Sequence, residues 1–171
     1  HAGYYITASP SGTLFEPSSL SVIPARTVHT FDGVGRETQQ TLWVLGVAKQ
    51  VSSIAYYGDH VDTVPPTGAT ATTVYADARG NITTRMLWHG TLAGGHDDTT
   101  YGYTKSGQLA SIVDAAGNAW SYSYDALGRQ TGASDPDAGI SSTTYDDAGR
   151  ATTSTDARGT TVANVYDALD R

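Results

Sequence analysis

Tyr124-Asp125-Ala126-Leu127-Gly128-Arg129 and Tyr145-Asp146-Asp147-Ala148-Gly149-Arg150 are two copies of one phrase, 21 residues apart. Outward from this pair, Tyr103-Thr104-Lys105-Ser106-Gly107-Gln108 lies 21 residues before and Tyr166-Asp167-Ala168-Leu169-Asp170-Arg171 lies 21 after. A looser copy, Phe31-Asp32-Gly33-Val34-Gly35-Arg36, stands near the start. Asp114, Asp135 and Asp156 keep the same period between the tyrosines. A unit this short cannot bury a hydrophobic face alone, so the period implies an array of units stacked on their neighbours.

Each phrase has the chemistry of a tight turn. An aromatic residue ends a strand, and the following Asp accepts hydrogen bonds from local backbone N–H groups. Glycine three residues after the Asp supplies the left-handed conformation of a type I turn with a glycine bulge. Asp77-Ala78-Arg79-Gly80, Asp114-Ala115-Ala116-Gly117 and Asp156-Ala157-Arg158-Gly159 read as the second turn of each unit, with Asp135-Pro136-Asp137-Ala138-Gly139 one residue longer. Two such turns leave room in 21 residues for two strands of ordinary length, about six residues each. Each unit is therefore expected to be one β-hairpin plus its link.

The alternation in Trp120-Ser121-Tyr122-Ser123-Tyr124 puts three aromatic rings on one face and serines on the other. Before residue 97 the pattern loosens. Thr41 to Tyr57 reads as a hairpin with Gly46 at or near its turn, and Trp88 to His96 as an insertion. Residues 1–25, with Pro10, Pro17 and Pro24, read as a connecting or covering segment with a short strand near Leu14. The expected organisation is 1–25 covering segment, 26–96 irregular hairpins with an insertion near 88–96, and 97–171 regular repeats cut short at the C-terminus. At roughly ten residues per strand, the whole chain would hold about sixteen strands. Each neighbour adds about 20° of twist, so the expected fold is all-β, an array of antiparallel β-hairpins in a long coiling sheet.

Composition excludes several function classes. There are no cysteines among the 171 residues, which removes disulfides and thiolate metal sites. A net charge of −7 argues against a nucleic-acid partner, and no apolar run is long enough to span a membrane. No nucleophile-elbow, paired-histidine zinc or phosphate-loop motif occurs, so neither a catalytic site nor a cofactor is expected. His96-Asp97-Asp98 reads as a polar loop, and Asp135 to Gly139 as a turn without the ligand set of a calcium loop. His29 and His60 have no readable partner. The recurring Arg36, Arg129, Arg150 and Arg171 read as ion-pair partners of the turn aspartates. Tyr101, Trp120 and Tyr122 read as a cross-strand ladder, with a glycan-stacking platform as the alternative.

The aromatic-Asp turn followed by Gly-Arg resembles the Rhs/YD-repeat family. Tyr124, Asp125, Gly128, Arg129 and Tyr145, Asp146, Gly149, Arg150 carry the pattern in full, and Phe31, Asp32, Gly35, Arg36 carry it with Phe for Tyr. Tyr103 with Gly107 lacks the Asp, and Tyr166 with Asp167 lacks the Gly. The resemblance is close over residues 97–171. It implies a strip of hairpins spiralling into a hollow shell, similar to the cocoon of Tc toxins and the teneurin barrel, of which this chain is an open fragment. It further implies that the chain itself is not an enzyme and that its partners are neighbouring repeats and a C-terminal toxin or effector of the same polypeptide, in a secreted or cell-surface protein. Both termini read as cuts in a longer chain. An adhesive carbohydrate-binding repeat and an unrecognised hydrolase around His60, His89 and His96 are the rival readings.

Overall fold

The computed structural model describes residues 24–167 and 169. Thirteen strands occupy them: β1 Ala25–Phe31, β2 Glu37–Val44, β3 Val47–Tyr56, β4 His60–Val64, β5 Thr72–Ala76, β6 Ile82–Trp88, β7 His96–Tyr103, β8 Leu109–Val113, β9 Ala119–Tyr124, β10 Gln130–Asp135, β11 Gly139–Tyr145, β12 Ala151–Thr155 and β13 Thr161–Ala163. They form one sheet in chain order, from β1 at one end to β13 at the other. The fold is all-β and built of antiparallel hairpins, as the 21-residue period predicts. Most of residues 1–25, the strand expected near Leu14, and Arg171 lie outside the described residues.

Two compact units divide the chain. One contains residues 24–75 and 86–96, the other residues 76–85 and 97–167. In the second, the regular one, the register shifts by one residue at each tyrosine that enters a turn. Tyr103 pairs Leu109, Tyr124 pairs Gln130 and Tyr145 pairs Ala151. The turn glycines Gly107, Gly128 and Gly149 take φ values of 87°, 82° and 87°. This is the bulged hairpin predicted above. Phe31 with Gly35, in the other unit, repeats the geometry at φ 84°.

The β2–β3 hairpin turns differently. Leu45 and Gly46 both have positive φ, at 48° and 77°, which makes a two-residue type I′ connection. Gly46 is at the turn as expected, but leucine takes the other left-handed position, which no sequence rule favours.

Among the described residues only Ala71, Thr41 and Thr73 are buried, and no large side chain is fully enclosed. Among the described residues neither helix nor second sheet packs on the strands. Cohesion comes from the hydrogen-bond ladder and from half-buried rings on one face. In β9 the alternation is as predicted, with Trp120, Tyr122 and Tyr124 half-buried and Ser121 and Ser123 exposed. Register then sets Tyr101, Ile112 and Trp120 in one cross-strand row. The opposite face carries Gly102, Ser111, Ser121 and Ser134 in a row that ends on Ile140.

Candidate functional site

The Tyr-Asp phrases build a repeated clasp. In Asp125 to Arg129, the Gly128 N–H donates to the Asp125 carbonyl at 3.0 Å and the Asp125 N–H to the Arg129 carbonyl at 2.9 Å, closing the turn. The Asp125 carboxylate then fills it. Oδ1 accepts from the N–H groups of Leu127 and Arg129, both at 2.9 Å, and Oδ2 accepts Arg129 Nε–H at 2.6 Å. Asp32 and Asp146 hold Arg36 and Arg150 in the same way, with Nε to Oδ2 at 2.7 Å in each. The backbone N–H of the arginine, foremost, keeps each of these carboxyls below the ordinary 3.8, partly offset by desolvation and helped by the guanidinium.

From this anchored position each arginine reaches the next repeat. The Arg129 guanidinium lies over the Tyr145 ring at 4.7 Å, and Arg150 over Tyr166 at 4.8 Å. Arg129 also donates through Nη1 to the carbonyl of Asp146 at 3.0 Å. The tyrosines reach back. The hydroxyls of Tyr124, Tyr145 and Tyr166 donate to the carbonyls of Leu109, Gln130 and Ala151 at 2.8, 2.9 and 2.8 Å. Tyr103 does the same to Ile82 at 2.9 Å. Each of these four tyrosines thus bonds the first residue of an earlier strand, and the rings of Tyr145 and Tyr166 are the seats of the preceding arginines. Arg36 over Tyr56, at 4.3 Å, is the counterpart in the first unit.

Departures from the phrase keep the geometry with weaker chemistry. At Thr104 to Gln108, Thr104 Oγ1 accepts the Gln108 N–H at 3.1 Å, and Gln108 Nε2 donates to the Gly128 carbonyl at 2.7 Å. At Asp77 the arginine position holds Asn81, whose Nδ2 donates to Asp77 Oδ2 at 3.0 Å. This turn was grouped above with Asp114 and Asp156. The structure moves it to the tyrosine margin, where Arg79 Nη1 donates to the Lys105 carbonyl at 2.9 Å. The displacement goes with the long β6 and β7, of seven and eight residues, and the seven-residue connection between them, which together put Asp77 out of the 21-residue phase.

One participant escaped the sequence reading. His60 takes the arginine's place after the β3–β4 turn, with Nδ1 2.6 Å from Asp59 Oδ1. Its ring is stacked on Tyr57 at 4.2 Å and on Tyr75 at 4.8 Å. Its position just after a turn that Tyr57 opens was the only available signal. His29 likewise has a partner, Glu37, with Nδ1 to Oε2 at 3.0 Å.

The three rings of the alternative platform share one face but none is fully open to solvent. Trp120 is tied by Nε1–H to Asp135 Oδ2 at 3.1 Å. His96 meets Trp88 edge-on at 4.6 Å. Among the described residues no three acidic or imidazole groups converge as a metal site.

Residues 103–140 match the RHS Repeat family. Over 82% of this chain the fold is similar to a crystal structure of TcdB2-TccC3, with a TM-score of 0.67 and 20% identity. The Photorhabdus luminescens Tc holotoxin pore, with a substituted TccC3, is similar over the same 82%, with a TM-score of 0.65 and 20% identity. In both cases the matched part is 8% of the other chain's length. No curated protein matches the sequence.

Proposed function

As an Rhs/YD-repeat chain with a matched repeat at residues 103–140, we propose, this protein is a stretch of non-enzymatic wall, part of a secreted or cell-surface β-shell that encloses a C-terminal toxin or effector. The observation that carries the reading is the clasp that runs from hairpin to hairpin. Each Tyr-Asp turn is closed by its own Asp and Arg, and is then bound to the next by a guanidinium over a ring and by a hydroxyl on a carbonyl. These are connections that extend a wall. They leave the phrase's own polar groups occupied, which suits a structural role better than recognition or catalysis. Partners under this reading are the adjoining repeats and the enclosed effector, and the regular stretch 97–171 is the part whose repeats continue the wall.

The test is protease protection. A polypeptide joining this chain with its flanking repeats and C-terminal domain is expected to keep that domain resistant to a broad-specificity protease, while the same domain made alone is digested. Equal digestion in both contexts would overturn the reading.

A further inference from the structure

The arginine clasps carry a permanent charge, because a guanidinium is not deprotonated at any pH a folded protein meets. Histidine is different, since its charge changes between about pH 5 and 8. His60 thus brings into the first unit a junction with a titratable member. Three contacts converge on its imidazole. Nδ1 lies 2.6 Å from Asp59 Oδ1. The ring of Tyr57, in the β3–β4 turn, stacks on it at 4.2 Å with 14° between the planes, and that of Tyr75, in β5, at 4.8 Å with 30°. The backbone joins the same residues. The Tyr57 N–H donates to the His60 carbonyl at 2.9 Å, and His60 pairs Tyr75 in the β4–β5 ladder. The imidazole therefore links a turn to the strand beyond it.

We propose that this link is a pH-sensitive clasp, gripping the β3–β4 turn to β5 while His60 is protonated and slackening when it is neutral. Both stacked rings lie within the roughly 6 Å over which a tyrosine face attracts a cation. The imidazole side chain is 22% exposed and the Asp59 side chain 72%, so water screens the ion pair and most of the gain on protonation comes from the rings. The remaining groups on this side do not oppose a positive charge. Asp62, two residues along β4 on the same face, accepts the Thr73 hydroxyl with its carboxylate. Tyr56, which carries Arg36, pairs Val61 and so faces the other way. Asp59 remains ionised across the range in which histidine titrates, because its hydrogen bond to His60, foremost, holds its carboxyl below the ordinary 3.8 despite desolvation. A neutral imidazole can still donate Nδ1–H to Asp59, so deprotonation leaves that bond and removes the charge from beside the two rings.

Amide exchange of the full chain tests this, with each rate expressed as protection over the unstructured rate so that the intrinsic effect of pH cancels. The reporters are the Tyr57 N–H and the amides of β4 and β5, and the β9–β10 hairpin, held by Arg129, is the reference. Between about pH 5.5 and 8, protection at the reporters is expected to fall by about threefold or more relative to the reference. His60→Gln should give low protection at both pH values, and His60→Arg high protection at both, while the other histidines go on titrating in each variant. Reporter protection in the native chain that is flat with pH, or that rises with pH, would overturn the proposal. So would an equal fall in either variant. None of these results depends on whether the wall reading above is correct.

Discussion

Two glycines in one turn separate backbone need from space. At both Gly33 and Gly35 an added Cβ would meet nothing within 4 Å, but only Gly35 has positive φ, at 84°. Gly35→Ala is expected to cost about 1–2 kcal/mol through the left-handed backbone alone. Gly33→Ala, by restricting the unfolded chain, should be neutral or stabilising by up to about 1 kcal/mol. Urea denaturation of both variants checks this, and equal effects would contradict it. The turn carboxylates make a second residue-scale prediction. Asp32, Asp125 and Asp146 have folded values below the ordinary 3.8, so their contribution is complete above that value and is lost as pH falls through the lower folded one. Melting temperature should be insensitive to these groups between about pH 5 and 7 and fall below about pH 4. Asp125→Asn should flatten that fall.

At the scale of the element, the clasp is a pair of reciprocal reaches. Tyr145→Phe keeps the ring beneath Arg129 but removes the hydroxyl bond to Gln130, and a loss of about 1 kcal/mol is expected. The degenerate repeat offers the converse experiment. Thr104→Asp with Gln108→Arg should recreate the ion pair of its neighbours, and a double-mutant cycle should show a favourable coupling of some tenths to about 1 kcal/mol, diminished by salt. These elements were largely legible from Tyr124, Asp125, Gly128 and Arg129, because turn chemistry is local: an Asp and a glycine three residues apart define their own hydrogen bonds. What was not legible depends on contacts between repeats. Nothing in Arg129 says that it will lie over Tyr145, since that follows from register across two strands. His60 was obscured for the same reason, being an arginine substitute only once Tyr75 is seen beside it. Asp77 reads onto the wrong margin because the length of β6 and β7, with the seven-residue connection between them, breaks the 21-residue count.

For the molecule as a whole, the strand order leaves β1 and β13 with one neighbour each among the described residues. Unpaired strand edges recruit further strands unless something covers them. The isolated chain is therefore expected to self-associate with rising concentration or to exchange amides fastest in β1 and β13, as read by sedimentation and hydrogen exchange. A strictly monomeric chain with uniform protection would contradict this. Thirteen strands lie among the described residues, and the two seven-residue connections after β4 and β6 are longer than an even spacing of strands anticipates.

Those connections bear on how such a protein can change. Connections that leave odd-numbered strands are three or five residues long throughout, whereas those leaving even-numbered strands range from two to seven. Where every turn grips the following one, an added residue would break two grips at once. On the even side no guanidinium or tyrosine hydroxyl joins one described turn to the next, so an added residue there would break no such grip. Evolutionary novelty, and any engineered graft of a foreign peptide, should therefore collect on the even-strand connections, while the tyrosine side keeps its fixed metre.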